Sequence, residues 1–253
     1  MTRGWVMLFL VTHSIFIVKE AEKMKKQLTL YHGSNQIIEK PIFGYGKKNN
    51  DFGLGFYCTE SEELAKEWAV SSSKNGFANR YLLDTEFLHI LHLNSPSYTI
   101  LNWIAILVEH RLFSISTPVA RRAKRYLIEH FSLNVNAYDV ITGYRADDSY
   151  FDYAEAFLNN AITVEQLSQA MALGKLGEQI VLKSPFAFSK LTYQGYSMAE
   201  TSSYYTKRQD RNTEANALYF QMLEEETDGL YIQDIIRGGI TNDNPRIPRN
   251  VRS

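Results

Sequence analysis

"NNDFGLGFYCTE", residues 49–60, brackets Leu54 between Gly53 and Gly55 and then runs through aromatics into a strand-like segment holding Cys58, the chain's only cysteine. It lacks the Gly-x-Gly-x-x-Gly spacing of a dinucleotide loop, and no Lys-Ser/Thr pair follows as in a triphosphate loop. Two readings remain on these residues alone. One is a turn whose glycines take positive φ before a strand. The other is the wall of a ligand cleft, where bare backbone comes close to what it binds.

Upstream, "QLTLYHGS" (27–34) alternates apolar and polar residues and ends in Gly-Ser, the pattern of a strand entering a loop. The loop that follows, to Gly53, is rich in Gly, Asn, Lys and Pro. Downstream, Thr59 with Glu62 reads as a capping box opening the helix "ELAKEWAV". "FANRYLLD", "FLHILHL", "YDVITGY", "EQIVLKS" and "LTYQGYSM" read as strands. Between them, 98–112 is an apolar, buried helix, and "PVARRAKRYLIEHF" is an amphipathic one with Val119, Ala123, Tyr126, Leu127 and His130 on its apolar stripe. "FDYAEAFLNN" reads as a helix, and Thr163 opens another, closed by Gly174. Strands first and last with helices between give an α+β class, in one domain over 24–196. A polar appendage follows over 197–253, with a helix from Arg211 to Glu226 and a loose end, "TNDNPRIPRNVRS".

The bulk numbers suit a packed, soluble chain: 253 residues, 45% hydrophobic and 22% charged. A net charge of −1 provides no overall basic field for nucleic acid or acidic membranes. A single cysteine cannot form an internal disulfide, so a reducing, cytoplasmic compartment is expected. Residues 1–23 look foreign to the rest: a broken apolar run from Trp5 to Val18 with no cleavage site after it. They are expected not to join the core, with translation beginning at Met24; a signal peptide or anchor is the alternative reading. His89, His92, His110 and His130 lack metal-ligand spacing, so no metal is expected. The "ARRAKR" run, 120–125, reads as a solvated helix face or as a contact for a phosphate backbone.

The "YHGS" strand end, the "GFYCT" strand running into "SEELAKEWA" and the late "EQIVLK" strand together resemble the ADP-ribosyltransferase superfamily. The likeness is to its histidine–tyrosine–glutamate branch, shared with diphtheria toxin and the poly-ADP-ribose polymerases. Within that branch the chain is similar to an uncharacterised bacterial family with a "DFG.GFY.T" block, an Ala-Lys-Glu-Trp-Ala helix and an Ala-Asp-Asp turn, here Ala146, Asp147 and Asp148. The resemblance implies a split, two-sheet core with helical insertions and NAD as substrate. It places His32 on a ribose hydroxyl, the Gly33 backbone against the nicotinamide amide and Tyr57 stacked on the nicotinamide ring. Ser34, Gly53, Gly55 and Thr59 fall in the same cofactor-binding patches, and Arg145 would meet the pyrophosphate.

The catalytic glutamate of that branch is here Gln179, which can accept a hydrogen bond but carries no charge. Glu178 is adjacent, but strand alternation points it to the other face. Asp147 and Asp148 are further carboxylates, with an Asx turn as their alternative reading. Two functions therefore stay open. One is an NAD-dependent transferase modifying an unknown protein or nucleic-acid acceptor, a toxin-type effector with a neutralising antitoxin as partner. The other is a catalytically inactive NAD- or ADP-ribose-binding or protein-interaction module.

Overall fold

The computed structural model describes residues 26–113, 115–146, 148–173, 178–224 and 227–250. The expectation for residues 1–23 and the Gly174 helix stop lie outside them. Within them the chain is α+β, its strands divided between two sheets. The first sheet is antiparallel, with β1 (Gln27–Ser34), β3 (Gly76–Asp84) and β7 (Leu191–Ala199) in that order. The second runs β2 (Phe56–Cys58), β6 (Glu178–Leu182), β5 (Val140–Tyr144) and β4 (Ile90–His92), with only β4 and β5 parallel. At one point the two sheets touch through their backbones. Tyr31 of β1 and Thr59, just past β2, exchange both hydrogen bonds, at 2.8 and 3.0 Å.

Alternation turns Leu30, Cys58, Leu83, Val140, Ile180 and Leu182 into one small apolar cluster that packs the two sheets together. Cys58 is fully buried there, and burial pushes its thiol pKa up, which removes thiolate character. On the other side of the second sheet, α2 (Ile100–His110) is buried at every position from Ile100 to Val108. Against it lies α3 (Pro118–Phe131), burying Ala120, Ala123, Leu127 and Phe131. That stripe is rotated from the expected one: His130 is exposed, and Val119 and Tyr126 are half-buried. The arginines 121, 122 and 125 face solvent. Helices α4 (Asp148–Leu158) and α5 (Val164–Leu173) complete this layer. Thr163 caps α5, its Oγ1 accepting from Gln166 N while Gln166 Oε1 accepts from Thr163 N.

The expected capping box at Thr59 is not formed. The N-cap of α1 (Glu62–Ala69) is Ser61, whose Oγ accepts from Leu64 N at 3.3 Å. Thr59 has its backbone committed to the contact between sheets, which ends the strand two residues before the helix can begin. After β6 comes the short α6 (Pro185–Ser189). The C-terminal part also differs from expectation. Helix α7 (Thr201–Glu224) begins directly after β7 rather than at Arg211. Arg211 grips the buried Glu67 of α1 with two bonds, at 3.0 and 2.8 Å. Past α8 (Ile232–Arg237) the expected loose tail is docked as far as Asn250. Buried Asn250 anchors it: its Nδ2 donates to Leu93 O and its N to Tyr98 O. The tail is held by these bonds and by the single buried Ile247, too few apolar positions to leave a period to read.

Strand β7 sits at an edge of the first sheet, and its register against β3 shifts between Arg80 and Tyr81, opposite Gly195 at φ 105°. No described helix is long and apolar enough to cross a membrane. Ile247, buried in the main core, tests the docking of the tail. Ile247→Ala is expected to destabilise the protein by about 2–4 kcal/mol, the cost of emptying a buried aliphatic site. The urea unfolding midpoint measures it, and a loose tail would leave that midpoint unchanged.

Candidate functional site

Beyond the Tyr31–Thr59 contact the sheets diverge, and a cavity of about 410 Å³ opens between them. Its walls include His32 and Gly33 from the end of β1, Tyr57 from β2, Gln179 from β6, and Arg145 and Ala146 after β5. Three strand ends from distant parts of the sequence therefore converge on one site. Gly55, just before β2, also lines it. Ser34, Gly53, Thr59 and Glu178 do not belong to the wall. Asp147 lies outside the described residues, and Asp148 is the first residue of α4.

His32 bridges the split. Its Nδ1 lies 2.7 Å from Tyr57 O, and a carbonyl only accepts, so Nδ1 carries the proton. The ring stacks on Phe56 at 4.3 Å. Burial lowers the His32 pKa, against the pull of that carbonyl, and holds the ring neutral. A neutral imidazole protonated at Nδ1 keeps Nε2 as an acceptor. Next to it, Gly33 has no room for a side chain: a Cβ there would collide with the Ala65 carbonyl of α1. The helix can approach β1 only because this residue is glycine.

Tyr57 is fixed by its hydroxyl, which donates to Gly53 O at 2.6 Å and accepts from Phe52 N at 3.0 Å. Burial raises its pKa, so it remains a phenol. Gly53, the glycine expected to face a ligand, instead forms the turn that receives this hydroxyl. It sits at φ 73°, and a Cβ would stand 3.1 Å from the His110 ring. The turn reading thus holds for Gly53, while Gly55 lies in the cavity wall, where a Cβ would stand 2.5 Å from Val181 of β6.

Gln179 is buried, and its Nε2 donates both protons, to Asp51 Oδ2 at 2.7 Å and to Tyr144 O at 2.9 Å. The amide's remaining capacity is the acceptor Oε1. Glu178 points away, its Oε1 accepting from Asn94 Nδ2 at 2.7 Å, as alternation along β6 requires. Asp51 is the residue that sequence reasoning passed over. It lies in the pocket wall, 5% exposed, with Oδ2 also accepting from Ala146 N at 2.9 Å and Oδ1 3.3 Å from Arg111. Burial raises its pKa, while the bonds from Gln179 and Ala146 and the charges of Arg111 and Arg145 pull it back toward ionisation. Arg145 lies over the Trp68 ring, 4.3 Å from its centroid, and both line the pocket.

The roof is the loop from 35 to 51. One end is pinned by buried Asn79, whose Oδ1 accepts from Ile38 N and whose Nδ2 donates to Gln36 O. Tyr81 donates to Ile38 O on the same side. At the other end Lys183 Nζ donates to Phe52 O and Leu54 O, at 2.6 and 2.8 Å. Burial takes the pKa of that amine down to about 8. Between the pins, Ile42 and Tyr45 line the cavity and are still 68% and 86% exposed. Among the described residues no group of three or more His, Cys, Asp or Glu is arranged to hold a metal.

From 28 to 193 the chain matches the model of a family described as "Protein of unknown function (DUF3990)", and it belongs to that family. The matched segment contains every wall residue named above. Comparison with curated proteins and with solved structures finds no match.

The Gln179–Asp51 contact has a measurable consequence. Gln179→Glu would set a second carboxylate against Asp51, and two such groups cannot both ionise cheaply. The shared pKa rises above the unfolded value of about 4, so the variant keeps its stability in acid and loses it as pH climbs through the raised pKa. A loss of about 3 kcal/mol at pH 7, two pKa units' worth, is expected and shrinks toward pH 4. Thermal melts across that range measure it.

Proposed function

We propose that this pocket binds NAD by its nicotinamide–ribose end, and that the protein is an ADP-ribosyltransferase-like member of its family. The observation that carries the reading is the convergence of His32, Tyr57 and Gln179 from three strand ends on one cavity. Each offers what that end of NAD requires. His32 Nε2 is an acceptor for a ribose hydroxyl, and Gln179 Oε1 is an acceptor for a second. The Tyr57 ring presents an aromatic face to a flat, cationic nicotinamide, a contact worth about 1 kcal/mol. Arg145 supplies a cation for the pyrophosphate.

In the reaction the bond from ribose C1′ to the nicotinamide nitrogen breaks. Its electron pair stays on nicotinamide, and positive charge develops over C1′ and the ring oxygen. An acceptor's nucleophile, or water, then adds at C1′ and gives up a proton to solvent. The acceptor is a protein or nucleic acid of unassigned identity; a toxin-type role in the cytoplasm with a neutralising protein partner belongs to the same reading. One observation favours a second reading, a binding module without turnover: the residue at the catalytic strand position is a neutral glutamine.

Purified full-length chain incubated with labelled NAD and cell extract is expected to bind NAD, and nicotinamide release with label transfer separates transferase from binding module. By calorimetry, Tyr57→Ala should weaken NAD binding about tenfold and Tyr57→Phe by less than about threefold, because the ring face carries the contact. Equal losses would assign the role to the hydroxyl instead. NAD affinity should be level above the ordinary imidazole pKa of 6.5 and fall as pH drops through the lowered pKa of His32, where Nε2 gains a proton and stops accepting.

A further inference from the structure

We propose that Asp51 supplies, through Gln179, the negative charge that the glutamine itself lacks, so that the work of one carboxylate is divided between a loop and a strand. The inference rests on the NAD reading of the pocket and deepens it. Its basis is the juxtaposition of the Asp51 carboxylate and the Gln179 amide at 2.7 Å in the cavity wall.

The contact orients the amide. A carboxylate and a carbonyl, Asp51 and Tyr144, both only accept, so the Gln179 nitrogen must face them and Oε1 must lie on the opposite side. A carboxylate hydrogen-bonded to an amide N–H also polarises it and increases the negative charge at its oxygen. Gln179 thereby presents a better acceptor to a ribose hydroxyl than a solvated glutamine does, and the full charge stands one hydrogen bond behind it.

Asp51 is itself held firmly. Its Oδ2 accepts from both Gln179 and the Ala146 amide and its Oδ1 lies 3.3 Å from Arg111, so each of these partners is a donor or a cation, as around a carboxylate. Burial leaves its pKa raised, and Arg111 and Arg145 oppose that rise. The other carboxylate beside Gln179 in sequence, Glu178, is engaged by Asn94 away from the cavity. As the C1′–nitrogen bond breaks and its electron pair leaves with nicotinamide, positive charge appears at C1′ and the ring oxygen. A fixed, buried negative group near that centre stabilises the transition state more than the bound substrate. Asp51 acts here as a positioning and charge-bearing residue, with Gln179 as the group that touches substrate.

The test measures NAD binding by calorimetry and nicotinamide release into water for wild type, Asp51→Asn, and the double variant Asp51→Asn/Gln179→Glu. The double variant keeps a single negative charge in the pair and moves it from the loop to the strand, while giving up the bonds to Tyr144 O and from Ala146 N that need the native arrangement. Asp51→Asn is expected to retain NAD affinity within about threefold and to lose release about 10²-fold. The double variant should recover at least tenfold of that loss, which a purely structural role for Asp51 would not produce. Should Asp51→Asn fail to fold, the double variant decides alone: release within about tenfold of wild type supports the proposal, and a 10²-fold deficit overturns it. Release by Asp51→Asn equal to wild type overturns this inference and leaves the NAD reading standing. So does a wild type that binds NAD without releasing nicotinamide. A wild type that binds no NAD overturns both.

Discussion

The site depends on how two sheets are held at one seam. Two backbone hydrogen bonds between Tyr31 and Thr59, and one from His32 to Tyr57 O, are the direct polar contacts across it. Hydrogen bonds of this kind contribute on the order of 1 kcal/mol each, so they do not hold the sheets together by strength. The apolar cluster of Leu30, Cys58, Ile180 and Leu182 does that. The seam instead sets register. It places His32 one residue past the contact on β1 and Tyr57 two residues before it on β2, so both side chains arrive where the sheets begin to part. A slip of one residue on either strand would turn a wall residue into the core or solvent.

Much of this was legible in the chain because alternation and glycine punctuation are local signals. The strands carrying His32, Tyr57 and Gln179 could be read from their own residues, as could the buried helix 100–110. What stayed illegible depended on contacts between distant segments. Asp51 stands inside the stretch that drew attention first, yet its partner is 128 positions away. A lone aspartate before Phe-Gly looks like turn chemistry until Gln179 is seen beside it. The Thr59 cap failed for a similar reason, since the threonine backbone was committed to another strand and Ser61 took the helix. The tail docks through Asn250 onto Leu93 and Tyr98 and through Ile247 into the main core, and neither residue has a periodic pattern around it.

The pocket's construction separates rigid from adjustable parts. Its floor comes from strand ends whose side chains are locked: His32 between Phe56 and a carbonyl, Tyr57 by two bonds, Gln179 by two more. Its roof is a loop hydrogen-bonded near its ends, by Asn79 and Tyr81 on one side and Lys183 on the other, with Phe43 edge-on to Phe188 between them. Asp51 lies at the junction of the two, on the loop side but bonded to the floor. The carboxylate of Asp51 is thus placed by the same loop that roofs the cavity.

The register shift at Gly195 has a bearing on how other macromolecules can be met. An unpaired strand edge is a template onto which a foreign strand can add its backbone. In β7 the irregularity opposite Arg80 and Tyr81 interrupts the even spacing of donors and acceptors that such an addition copies. Growth of this sheet by a second copy of the chain, or by an extended peptide, is thus blunted at its middle. What this flank offers at its surface is instead side chains such as Tyr196 and Met198, which stand half-exposed there.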